Sequence, residues 1–130
     1  MGDVKISYPD IKIDGMDFTE SNYVCKEKRW SAVELYKQVE REESVAYDVP
    51  LAFIDMRCMP FTMDDVDDFI FQMKRVLNTD LDIPIIFDCC GRIADGWHRV
   101  VKAMIEGKKT IKGYRLKEMP DNYLIDKNDP

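Results

Sequence analysis

A chain of 130 residues, 45% of them apolar, can build one hydrophobic core and leaves no room for two domains of ordinary size. No apolar run approaches the ~18 residues that span a bilayer. The N-terminus lacks the basic start and long apolar stretch of a secretory leader, so no membrane partner is predicted and the expected location is the cytoplasm. A net charge of −6 argues against a free-standing DNA binder, whose affinity comes largely from neutralised phosphates.

In chain order, Val4, Ile6 and Tyr8, then Ile11 and Ile13, alternate with polar residues. A Pro9-Asp10 turn signal lies between the two runs, so residues 1–24 read as an extended ribbon or hairpin. Ser31 and Glu34 have capping-box spacing. Ala32, Leu35, Tyr36 and Val39 follow at helical intervals, which predicts a helix over 31–43. Trp30 is expected to pack against its start. Residues 44–50 read as a loop and 51–56 as a short strand.

Thr62 is the expected cap of a second helix, with Asp64 and Asp65 favourable in its first turn. Val66, Phe69, Ile70, Met73 and Leu77 form the stripe expected to be buried. Residues 83–89 make the strongest strand. Residues 90–92 are a tight turn and 93–94 a short returning strand. A third helix runs from Gly96 to a stop at Gly107, and residues 110–116 form the last strand. The polar, acidic end, 120–130, is expected to fray. The four cysteines, with no CxxC pair and one histidine in the chain, are expected to be buried, reduced thiols.

The chemistry concentrates at Asp95-Gly96-Trp97-His98-Arg99. Glycine permits a tight turn and close approach to a ligand. The first turn of a helix presents unpaired N–H groups with partial positive charge. An imidazole and a guanidinium in that same turn complete a plausible phosphate site. The structural alternatives are equally concrete. Asp95 is either a base or metal-linked carboxylate, or a cap facing away. His98 and Arg99 are ligands, or a packed histidine and an ion-paired arginine. Trp97 stacks on a base or packs over the helix start. Asp88 holds Mg²⁺ or shapes the glycine turn, and Arg57 meets a phosphate or is solvated.

This stretch resembles the second half of a domain of the ParB/sulfiredoxin superfamily, in which a strand pair leads into Asp-Gly, a basic pair and a helix. The first half is similar in order. Val49-Pro50-Leu51-Ala52-Phe53-Ile54-Asp55 stands for the opening strand, residues 62–77 for the first helix, and Ile83-Pro84-Ile85-Ile86 for the strand that follows. The resemblance covers residues 48–117. It implies an α+β fold, a mixed β-sheet flanked by helices, here with an N-terminal extension over 1–47 and an acidic tail over 118–130. It further implies that Gly96, His98 and Arg99, with Arg57 from the loop after the first strand, hold the phosphates of ATP or CTP. Mg²⁺ would be held by Asp95 and Asp88, with Asp95 and His98 as catalytic groups for hydrolysis or phosphoryl transfer.

Two departures narrow this. Sulfiredoxins carry a reactive cysteine directly before the His-Arg pair, where this chain has Trp97. ParB clamps carry several motif arginines and further domains, where this chain has one arginine and stops. A stand-alone nucleotide-binding member is therefore expected. A non-catalytic protein-interaction or regulatory module on the same scaffold is one alternative. A DNA-binding or nuclease-type relative is the other, opposed by the net charge and by the lack of a dense carboxylate cluster.

Overall fold

A computed structural model describes residues 22–126. The ribbon expected over residues 4–13 lies outside them. The described residues form a mixed α+β fold of two sheets and three helices. The first sheet is antiparallel, with β1 (Asn22–Cys25) and β7 (Leu124–Ile125) on either side of β2 (Lys28–Ser31). The second has the order β3 (Tyr47–Pro50), β6 (Thr110–Arg115), β4 (Ile85–Phe87), β5 (Ile93–Asp95). Here β4 and β6 run parallel, while β3–β6 and β4–β5 are antiparallel.

The core sits on both faces of the second sheet. Helix α1 (Ala32–Arg41) places Leu35, Tyr36 and Val39 with Ile86, Leu116 and Trp30 on one face. Helix α3 (Trp97–Ile105) places Val100 and Ala103 with Ile85, Phe87, Val49 and Ile111 on the other. Strand β4 alternates its side chains between these two clusters and is buried throughout. That explains why its sequence is a continuous apolar run rather than an alternating one. Helix α2 (Val66–Asn78) packs mainly on α3 rather than on the sheet.

Several expectations hold. The Ser31 side chain caps α1 by accepting from Glu34 N–H at 3.2 Å. The third helix starts after Gly96, and Gly107 ends it with φ +72°. Other expectations are corrected. The strand expected over 51–56 is displaced to β3, followed by a 3-10 turn over Leu51–Phe53. Pairing stops at Pro50 opposite Thr110 because the partner strand begins there, so residues beyond Leu51 have no ladder to join. The strand expected over 83–89 shortens to three residues, since the Ile83 and Pro84 carbonyls bond to Arg99. Asp65, not Thr62, caps α2, accepting from Asp68 N–H at 2.8 Å.

The described part of the acidic end is ordered by β7 and by the buried Asp126 carboxylate, which pairs with Arg29. The stripe Val66, Phe69, Ile70 and Leu77 is exposed, and Val76 is the buried residue of α2. Cys58, Cys89 and Cys90 are exposed rather than buried, and Cys25 is half-buried. No helix among the described residues is long and apolar enough to cross a membrane.

Gly96 is required by packing. Its φ is +124°, and an added Cβ would lie 2.4 Å from Ile85 Cγ2 and 2.6 Å from Ile85 Cβ. Overpacking and left-handed strain act together there, so Gly96→Ala is expected to cost about 2–4 kcal/mol in urea unfolding. Gly107→Ala, where φ is +72° and an added Cβ meets nothing within 4 Å, should cost only about 1 kcal/mol. Equal losses at the two positions would rule out the steric contribution of Ile85.

Candidate functional site

The five-residue motif is divided by its helix. Neighbouring helical residues point about 100° apart, and Arg99 and His98 diverge accordingly. Arg99 turns into the core and is buried. Its guanidinium donates to the Ile83 and Pro84 carbonyls at 2.8 and 2.7 Å and to Asp95 Oδ2 at 2.5 Å. Burial alone would lower its pKa, but Tyr36 and Asp95 outweigh it and hold the guanidinium firmly charged. Asp95 also accepts from the Tyr36 hydroxyl at 3.1 Å. Arg99 is thus a structural tie between α3, β5 and the start of β4.

His98 points the other way, towards α2. Its Nε2 lies 2.7 Å from Gln72 Oε1, and its ring stacks on Phe61 at 4.3 Å between centroids. Burial, and then the positive charges of Arg75 and Arg99, push its pKa down to about 3. The imidazole is neutral at physiological pH. It can make hydrogen bonds, but it carries no charge towards a phosphate.

Asp88 shapes the glycine turn. It accepts from the Tyr23 hydroxyl at 2.6 Å and from the Cys90 and Arg92 amides at 2.9 Å each. Burial raises its pKa, yet these donors outweigh burial and hold it below the ordinary carboxylate value. Asp88 and Asp95 border different cavities, and each is committed to donors of the chain. No group of three His, Cys, Asp or Glu side chains that could hold a metal ion occurs among the described residues. The pair expected for Mg²⁺ does not fit it. Arg57 is exposed, bonds back to Asp55 through Nε at 3.0 Å, and borders neither large cavity.

The cavity that does form at this helix start has a volume of about 400 Å³. Asp95, Gly96, Trp97 and His98 line one side of it, and Thr62, Gln72 and Arg75 come from the loop before α2 and from α2 itself. Two guanidiniums border it, Arg29 of β2, which is paired with Asp126, and Arg75, and sequence reasoning missed both. The Arg75 Nε is buried without a hydrogen-bond partner. Burial lowers the Arg75 pKa, and the charge of Asp95 only partly restores it. A second cavity, of about 680 Å³, has Tyr47, Phe53, Phe87, Arg92 and Arg115 in its wall. Trp97 borders both spaces. The one sequence signal for Arg75 was a basic residue three positions after Gln72 on the helix that follows Thr62.

No known protein family, curated protein or solved structure matches the chain.

The neutral, buried His98 has a pH consequence. Its folded pKa lies below the unfolded value of 6.5, so between these values the unfolded chain binds the proton and the folded chain does not. Stability is then undiminished above pH 6.5 and falls as pH drops from 6.5 towards 3, by up to about 1.4 kcal/mol per pH unit from this group. His98→Asn should flatten the stability profile over that window in urea titrations. Superimposable profiles would show the imidazole to be freely protonated in the folded state.

Proposed function

We propose that the chain is a ParB/sulfiredoxin-like domain that binds the phosphate of a nucleotide in the cavity between α2 and the amino end of α3. The reading is supported by the order of its elements. Strand, helix, strand pair, Asp-Gly, helix and final strand follow one another from β3 to β6, as they do in that superfamily. The observation that carries it is Arg75, a half-buried guanidinium whose Nε has no hydrogen-bond partner. An unsatisfied buried donor costs free energy, and a phosphate in the cavity that Arg75 lines would offset that cost through a charge-assisted bond to the guanidinium. The first-turn amides of α3 and the Thr62 hydroxyl add donors around the same space.

In this reading the phosphate cation is Arg75 and not Arg99, and the function is binding rather than turnover. A general base must be positioned on the proton that it takes, and the Asp95 carboxylate is fixed as a structural tie, its Oδ2 accepting from both Arg99 and Tyr36. His98, neutral, cannot stabilise phosphoryl charge as an imidazolium would. A protein-interaction module on the same scaffold is favoured by a separate observation, the exposed apolar side chains of α2, and it is compatible with a bound nucleotide.

Calorimetry of the full chain with ATP, CTP and GTP, with and without Mg²⁺, tests the reading. At least one nucleotide should bind at millimolar concentration or below. Arg75→Gln should weaken it by about 10–100-fold, the value of a hydrogen bond to a charged group. Arg57→Ala should leave it unchanged. Silence with every nucleotide would remove the proposal, and undiminished binding by the Arg75 variant would move the site elsewhere.

A further inference from the structure

Helix α2 carries the clearest mismatch between composition and burial. Val66, Phe69, Ile70 and Leu77 recur at helical spacing, yet they remain 71%, 51%, 45% and 69% exposed. Half-buried Met73 lies in the same stripe. Isolated exposed apolar residues are ordinary, but a contiguous stripe of this kind marks a surface that binds something. The stripe lies on α2 away from Arg75, which faces the cavity.

The charges beside the stripe indicate what it binds. Asp67 and Lys74 are seven residues apart, two turns along one edge, and they flank Ile70 at i−3 and i+4. Both are exposed. Among the described residues neither side chain has an ion-pair partner in its own chain. A two-fold axis crossing α2 near its middle places two copies of the helix antiparallel. Val66 then meets Leu77 of the partner subunit, and Ile70 meets Met73 of the partner subunit. Asp67 comes within reach of Lys74 of the partner subunit, and the axis repeats each contact. Edge charges of this arrangement set partner and orientation in paired helices. The pattern is self-complementary, as an isologous interface demands, and the aromatic Phe69 supplies the kind of anchor such interfaces use.

From this charge and apolar complementarity we infer that α2 is a homodimerisation surface, pairing antiparallel with α2 of a second copy of the chain. The inference is independent of the nucleotide reading, since it uses the other side of the helix.

Sedimentation equilibrium of the full chain at submillimolar concentration tests it, with circular dichroism confirming that each variant folds. The wild-type mass should be twice the 15.2 kDa of one chain. Ile70→Asp should raise the dimer dissociation constant at least about tenfold. Asp67→Lys and Lys74→Asp should each weaken the dimer severalfold, and the double variant should restore it. A monomeric wild type would overturn the inference, including the case in which the chain's own residues 1–21 cover the stripe. A dimer indifferent to Ile70→Asp would also overturn it, as would a double variant weaker than both single ones.

Discussion

The buried ion pair of Arg99 with Asp95 is the constraint on which the rest of the molecule depends. It ties the first turn of α3 to the end of β5, and through the Ile83 and Pro84 carbonyls to the chain entering β4. Tyr36 of α1 reaches the same carboxylate from the opposite face of the sheet. One cluster therefore joins the helices of both core layers through the strands between them. Removing charges from water costs several kcal/mol per ion. The arrangement is tolerable because three acceptors share the guanidinium and two donors share the carboxylate. Loss of either partner would leave the other charge buried and unpaired, which is far more costly than losing a surface bridge. A motif that reads as ligand-binding machinery is thus half structural, and the cations of the neighbouring cavity, Arg29 and Arg75, come from β2 and α2.

What could be read in advance follows from which interactions are local. The cap at Ser31, the amphipathic face of α1, the start of α3 after Gly96 and the buried run of β4 are all encoded within a few residues. Each was legible. The location of the candidate site was legible too, because the glycine and the helix start are local features. The roles within it were not. Whether His98 or Arg99 faces outward is a matter of how α3 is rotated on the sheet, and that depends on Ile85 packing against Gly96. Arg75 could be connected to the site only once α2 was known to lie beside α3.

The stripe of α2 failed for a related reason. Periodicity reports that an apolar face exists, but not what covers it. The helix buries Val76 and meets α3 through Gln72 opposite His98 and through Lys102, whose Nζ donates to the Thr79 carbonyl at 2.7 Å. The apolar stripe is left to one side. The first sheet was missed for want of turn chemistry. The β1–β2 hairpin turns at Lys26 and Glu27, both with positive φ, where glycine or asparagine is the usual signal. Strand β7 is two residues long, and its anchor, Asp126 with Arg29, spans 97 positions of sequence.

These attachments make α2 the element whose position matters most for any ligand. It contributes one fully buried residue and makes polar contacts at a helix–helix seam. Elements with few buried apolar contacts lie at the low end of local stability. An anion bridging Arg75 and the α3 amides would add contacts across that same seam, so occupancy of the cavity would fasten α2 against α3. A second copy seated on the opposite side of α2 would bury the apolar stripe and steady the same helix. The two events would act on one element from two sides, and each would lower the ordering cost that the other must meet. Coupling of this kind needs no path through the core, only a helix that is lightly held.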